Sequence, residues 1–353
     1  MAAGKKKKKR TGTRERDWEK QGEFAFSHDR IKHRKAVAKI SDAAPQAPLP
    51  ASFEPNALVI AHSKKWAFVQ MAGEELLCKI DDRLVAEDGT LLAAGDRVLM
   101  EHLGGEGEDF VRGIAPRRTR LSRPAFGGGR EQVIAANVDL LVIVAAVVRP
   151  PFRTGLIDRY LISAQVGGVE PLICVNKMDL VDEAPEGLQV YREMGVPIIL
   201  TSCKTGAGLD ELRAALRDRI SVLSGHSGVG KSSILNALDP DLELHTREVS
   251  DYNDRGKHTT TASRLYQIDD RTRIIDTPGI RGLGLWEVSP AEVSHYFPDI
   301  AQYAVACKFR DCTHTHEPGC AVKAAVDTGE LSSARLASYL RIRQSLQEEQ
   351  QRP

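Results

Sequence analysis

Asn176-Lys177-Met178-Asp179 and, further along the chain, Gly225-His226-Ser227-Gly228-Val229-Gly230-Lys231-Ser232-Ser233 carry the most specific chemistry in the sequence. The second run matches GxxxxGK[ST]. Backbone N–H groups of such a glycine-rich turn surround a nucleotide's phosphates, Lys231 neutralises them, and the Ser232 hydroxyl binds Mg²⁺. A phosphate loop alone does not separate ATP from GTP, because both present the same phosphates. The NKxD pattern reads the base. An ionised Asp179 only accepts hydrogen bonds, so it can take guanine N1–H and the 2-amino group, which adenine does not offer, while Asn176 serves the other base edge. Against the wrong base a buried carboxylate is left unpaired, which can separate the two by several orders of magnitude. GTP is therefore the expected nucleotide.

Three further runs fit around that pair. Leu200-Thr201-Ser202-Cys203-Lys204-Thr205-Gly206 has the form of the loop that backs guanine, bringing Ser202, Cys203 and Lys204 to the base. Lys257-His258-Thr259-Thr260-Thr261 offers Thr260 or Thr261 as a switch threonine for Mg²⁺, although the same run is equally a polar, β-prone strand. Ile274-Ile275-Asp276-Thr277-Pro278-Gly279 is a DxxG box, in which Asp276 steadies the metal and Gly279 contacts the γ-phosphate. After that box, where many GTPases place a glutamine that orients the attacking water, stands Ile280, which cannot do so. Unaided turnover should be slow. His258, beside the threonines, is the internal candidate for positioning water; the alternative is that it packs or contacts RNA.

The elements that must hold these residues are legible from apolar runs. Pro171–Val175 reads as a buried strand ending at the NKxD box, Ile220–Leu223 as the strand feeding the phosphate loop, and Ser232–Leu238 as the helix leaving it. Ligands bind at the carboxyl ends of such strands in open α/β sheets. The order, however, is inverted: an ordinary GTPase has its phosphate loop before its NKxD box. A circularly permuted P-loop GTPase explains this, since chains tolerate being reopened at surface loops. The chain beyond Gly279 then hangs directly from the second switch.

That C-terminal stretch contains a cluster of soft ligands. Residues 307–320 hold Cys307, Cys312 and Cys320 together with His314 and His316, and a Cys₃His set suits a closed, tetrahedral, structural Zn²⁺. Cys307, Cys312, His314 and Cys320 are the expected ligands and His316 the spare. Cys78, Cys174 and Cys203 are scattered, so no disulfide framework is implied and a reducing cytoplasm fits.

Upstream, five short alternating segments, 57–61, 65–69, 75–80, 96–100 and 110–114, are broken by glycines and suggest a small OB-type β-barrel, a frequent oligonucleotide binder. The adjoining Arg117, Arg118, Arg120 and Arg123 suit phosphate recognition, and Gly127-Gly128-Gly129 reads as a hinge into the GTPase. Net charge is +1 over 353 residues, but residues 1–40 hold fourteen Lys and Arg against five Asp and Glu. That basic tail can bind nucleic acid through phosphate neutralisation or be merely solvated. Residues 43–55, rich in Pro and Ala, read as a linker. No run is long and apolar enough to span a membrane, and the N-terminus lacks a signal-peptide core.

GHSGVGKSS, GKHTTT, DTPG and the CxxxxCxHxxxxxC spacing together resemble the ribosome small-subunit-dependent GTPase A (RsgA) family of bacterial 30S assembly factors, from about residue 55 to 345. The resemblance implies an OB barrel at 55–118, a circularly permuted GTPase at 119–288 and a mostly helical zinc domain at 289–353, after a basic tail and linker at 1–54. It further implies a monomer that binds the 30S subunit and its 16S rRNA, hydrolyses GTP when stimulated by the subunit, and is released in late small-subunit maturation. The alternative is a nucleotide-gated RNA-binding protein whose hydrolysis is incidental.

Overall fold

A computed structural model describes residues 53–86, 89–101, 109–125, 130–239, 263–277 and 284–350. The basic tail, Gly127–Gly129, His258, Thr260, Thr261, Gly279 and Ile280 lie outside the described residues.

β1 (Ala57–His62), β2 (Trp66–Met71) and β3 (Glu74–Ile80) form a meander. A short hairpin, β4 (Val85–Ala86) with β5 (Gly89–Thr90), precedes β6 (Arg97–Glu101) and β7 (Phe110–Ile114). The barrel closes in the order β1-β2-β3-β7-β6, with β3 and β7 parallel. Alternation decides its inside: Val59, Ala67, Val69, Cys78, Val98 and Val111 are fully buried, and their strand neighbours face out. The β2–β3 turn has two residues, Ala72 (φ 51°) and Gly73 (φ 91°), and positive φ at both is what a hairpin of this length requires.

β8 (Arg120–Pro124) and β9 (Glu131–Ala136) pair with each other. Ala125 N–H also donates to the Arg130 carbonyl (2.9 Å), so the chain leaves and re-enters one two-stranded sheet across the triglycine. The four arginines are engaged internally. Arg117 donates to Asp96 (2.7 Å) and to the Leu91 carbonyl (2.7 Å), Arg118 to Asp139 (3.2 Å), Arg120 to Glu131 (2.7 Å) and Glu287 (3.2 Å), and Arg123 to Gln132 (3.0 Å). Arg118 and Arg120 reach beyond the barrel and hairpin, to Asp139 and Glu287, while Arg117 bonds within the barrel segment and Arg123 within the hairpin. The phosphate-binding role read from their clustering finds no support in those contacts.

The main sheet contains β10 (Leu140–Ala146), β11 (Glu170–Asn176), β12 (Ile198–Leu200), β13 (Ile220–Ser224), β14 (Arg264–Asp269) and β15 (Thr272–Asp276), in the order β12-β11-β10-β13-β15-β14. All are parallel except β14 against β15. Helices α1 (Thr154–Gly167), α2 (Gln189–Glu193), α3 (Leu209–Leu216) and α4 (Lys231–Leu238) make the crossovers. β10 explains why its sequence reads as an unbroken apolar run. Leu141 and Ile143 enter the core on one face of the sheet, Leu140, Val142 and Val144 the core on the other, and both faces are dry.

The C-terminal part is helical: α5 (Pro298–Ala304), α6 (Ala321–Asp327) and α7 (Ser333–Gln350) surround Phe297, whose ring meets Tyr339 edge-on at 5.7 Å. α7 is held to α1 by a buried polar knot. Arg335 donates to Asp158 and, at 2.6 Å, to Asp299; Ser338 also donates to Asp158, as does the Tyr191 hydroxyl at 3.0 Å. No helix among the described residues is long and apolar enough to cross a membrane.

Candidate functional site: a nucleotide cleft and a metal knuckle

Four parallel strands, β12, β11, β13 and β15, end at one edge of the sheet, and each end carries one of the sequence motifs. β13 runs into the phosphate loop, which is anchored from below by Val229, 2% exposed in the core. Gly230 (φ 100°) could not be another residue: beyond its left-handed backbone, a Cβ there would collide with the Asn176 amide nitrogen. His226, Ser227, Gly228, Ser232 and Ser233 are exposed around the turn. Lys231 starts α4, and its Nζ donates to the carbonyls of Gly225 (2.7 Å) and His226 (3.0 Å).

The guanine box sits against this loop. Asn176, 2% exposed, donates through Nδ2 to the Val229 carbonyl (3.1 Å) and accepts from Thr201 Oγ1 (3.4 Å) and Cys203 Sγ (3.6 Å). Its amide thus joins the box to the phosphate loop, using one of the two N–H donors that the side chain carries. Lys177, in the left-handed region at φ 67°, donates to the carbonyls of Arg149 (2.5 Å) and Gly228 (2.6 Å). Met178 N–H donates to the Thr201 carbonyl (3.1 Å), tying the box to the loop after β12. From that loop the Ser202 hydroxyl donates to Asp179 Oδ1 (2.7 Å), and Lys204 Nζ lies 3.9 Å from Oδ2. The carboxylate is thereby oriented before any base arrives. Thr201 was missed from the sequence although it stands beside Ser202. The Arg149 carbonyl carried no signal, since any residue supplies one.

At the phosphate end, burial lowers the Lys231 pKa and raises that of Asp276, while their mutual attraction opposes both shifts. A lysine and a carboxylate converge there, and a phosphate chain with its divalent cation would supply each with an opposite charge. Ser232 at the head of α4 and Asp276 at the end of β15 are the described residues that fit Mg²⁺. Burial pushes the Cys174 thiol up to about 12 and raises that of Cys203, so neither is a reactive thiolate.

In the C-terminal part, ligand atoms of Cys307, Cys312, His314 and Cys320 all lie within 4.8 Å of one another. His314 Nδ1 is 3.4 Å from Cys320 Sγ and 3.7 Å from Cys307 Sγ, and the two sulfurs are 3.9 Å apart. A metal bound about 2.3 Å from each sulfur sets tetrahedral neighbours about 3.8 Å apart, so the set fits such an ion. His316 is exposed and bonded to Thr315 (2.9 Å). Glu317 accepts from the Thr313 hydroxyl and from the N–H groups of Thr313 (2.7 Å), Thr315 (3.0 Å) and His316 (3.1 Å); the hydroxyl first, then the N–H groups, hold its carboxyl well below the usual range and shape the knuckle.

A phosphate loop, an NKxD box and a DxxG strand at one sheet edge, in inverted chain order, define a circularly permuted P-loop GTPase. The family model for the RsgA GTPase matches residues 114–286. The small ribosomal subunit biogenesis GTPase RsgA 1 of Vibrio vulnificus is 42% identical over 266 residues, 73% of this chain and 75% of that protein. The corresponding RsgA of Shewanella oneidensis is 42% identical over 270 residues, 74% and 76% of the two chains. Among solved structures, YjeQ from Thermotoga maritima superposes with a TM-score of 0.62 at 32% identity, covering 85% of this chain and 99% of that one. YloQ, described as a circularly permuted GTPase, gives 0.59 at 28% identity, covering 87% and 100%. The chain belongs to the RsgA GTPase family.

Proposed function

We propose that this chain is a GTP hydrolase that binds the small ribosomal subunit through its rRNA, acts late in subunit maturation in the cytoplasm, and leaves as a monomer when GTP is hydrolysed. The single observation that carries the nucleotide half of this reading is the physical joining of base box to phosphate loop, Asn176 to the Val229 carbonyl and Lys177 to that of Gly228. The ribosomal half is supported by the named activity of the relatives, small ribosomal subunit biogenesis.

In this reading Asp179, steadied by Ser202 and flanked by Cys203 and Lys204, selects guanine, and the N–H groups of residues 225–233 together with Lys231 hold the phosphates. Mg²⁺, held by Ser232, Asp276 and Thr260 or Thr261, would neutralise charge on the phosphates. Gly279 contacts the γ-phosphate, and His258 positions water in place of the glutamine that Ile280 lacks. The four-ligand knuckle holds one structural Zn²⁺. The barrel, the GTPase and the zinc domain occupy 55–118, 119–288 and 289–353.

Co-sedimentation with small subunits tests the reading. The chain should pellet with subunits in a non-hydrolysable GTP analogue and return to the supernatant once GTP is hydrolysed. Equal retention with GTP, GDP and the analogue would leave a nucleotide-independent RNA binder.

A further inference from the structure

β14 is an edge strand of the main sheet, and the barrel lies against it. Leu58, Ile60 and Phe68, from β1 and β2, join the sheet core that contains Leu265 and Ile275. Gln70 donates to Gln267 (3.3 Å), and Arg264 Nη2 donates to both carboxylate oxygens of Glu75 on β3 (2.8 and 3.1 Å). The same guanidinium lies 5.6 Å from the centre of the Phe68 ring and 5.9 Å from that of Tyr266. Barrel groups thus hold the Arg264 side chain, which keeps 20% exposure.

The backbone of Arg264 belongs to the nucleotide cleft. Register pairs it with Asp276, the DxxG aspartate, across β14 and β15. Residues directly opposite in an antiparallel pair share one face of the sheet, with Cβ atoms about 5 Å apart, and opposite charges there ordinarily attract. Left to that pairing, a guanidinium with five N–H donors would neutralise the carboxylate. The structure shows the other arrangement. The cation that acts on Asp276 is Lys231 of the phosphate loop, while Glu75 draws Arg264 over the sheet edge and onto the barrel. The aspartate is left open to a hard cation, which needs oxygen ligands without a competing positive charge.

We propose that Glu75 is a positioning residue for the GTPase reaction: from the barrel it holds the Arg264 guanidinium off Asp276 and so keeps that carboxylate available to Mg²⁺. The inference rests on the reading of Asp276 as a Mg²⁺ residue. Its consequence is directional. Removing Glu75 frees a competing cation beside the aspartate, whereas removing Arg264 breaks the same ion pair and leaves no competitor.

The test uses the full-length chain saturated with a non-hydrolysable GTP analogue, and Mn²⁺ as the probe cation, its free form read by EPR. Glu75→Gln should weaken Mn²⁺ binding about fivefold or more, and should raise the Mg²⁺ concentration that half-saturates GTP hydrolysis by the same factor. Arg264→Met and the double variant Glu75→Gln/Arg264→Met should bind Mn²⁺ as the natural chain does. Natural affinity in Glu75→Gln overturns the proposal. Equal weakening in Glu75→Gln and Arg264→Met also overturns it, because the pair would then matter only as a contact between barrel and sheet. A double variant as weak as Glu75→Gln overturns it too, since Glu75 would be acting without Arg264. Asp276→Asn separates the two readings. If that variant binds Mn²⁺ as tightly as the natural chain, the assignment of Asp276 to the metal fails and the inference falls with it. A weakened Asp276→Asn beside an unchanged Glu75→Gln overturns the inference alone.

Discussion

Asp179→Asn isolates base recognition. The carboxylate is 11% exposed, and its Oδ1 is engaged by the Ser202 hydroxyl at 2.7 Å, so it meets the base already oriented. Guanine N1–H and the 2-amino group donate to it, and hydrogen bonds to a charged acceptor contribute about 1.5–3 kcal/mol each. Loss of both is about 3–6 kcal/mol, or about 10²- to 10⁴-fold in GTP affinity. The amide also presents a donor where guanine presents a donor. Xanthine, with N1–H beside a 2-oxo group, matches an amide's oxygen and NH₂, and the Ser202 hydroxyl, which both donates and accepts, serves whichever end turns toward it. Competition binding of GTP, xanthosine triphosphate and ATP to both chains reads the result. The variant should prefer the xanthine nucleotide. A variant that still prefers GTP, or a natural chain that binds ATP as well as GTP, would refute the assignment of Asp179.

Elemental analysis should find one zinc per chain, and Cys312→Ser should lower that content and destabilise the C-terminal part; full occupancy in the variant removes Cys312 from the ligand set. Arg335→Met strands the Asp158 carboxylate, whose side chain is 1% exposed, and should cost about 3–5 kcal/mol in denaturant unfolding. Adding Asp158→Asn should recover much of that loss; purely additive losses would mean the pair is not coupled. Hydrogen bonds from Arg83 and Arg112 hold the Asp81 carboxyl down at about 2 from an ordinary 3.8, so its contribution is present above the unfolded value and disappears as pH falls toward 2. Asp81→Asn should therefore cost about 2 kcal/mol at pH 7 and almost nothing near pH 2, and a pH-independent cost would refute the ion-pair origin.

Much of this was legible because the physics is local. The β2–β3 turn, the five barrel strands and the apolar run of β10 announce themselves by alternation, glycine placement and two-sided burial. The motifs were legible because phosphate, guanine and soft-metal chemistry each demand a few residue types at fixed spacing. What the sequence does not show depends on distant partners. Nothing local marks that Arg117, Arg118 and Arg120 bond Asp96, Asp139, Glu131 and Glu287. Nor does anything local mark that the Asn176 amide reaches the Val229 carbonyl of the phosphate loop, more than fifty residues later. The polar knot around Asp158 joins α1, α2, α5 and α7, and no local pattern marks it.

The central claim is that this permuted GTPase is switched on by the small ribosomal subunit. Its most direct test is the GTP hydrolysis rate of the purified chain alone, with small subunits and with large subunits at equal concentration. With Ile280 where a water-orienting glutamine is usual, the rate alone should be slow, and small subunits should raise it on the order of tenfold or more while large subunits leave it unchanged. A rate indifferent to small subunits, or raised equally by large ones, would contradict the account.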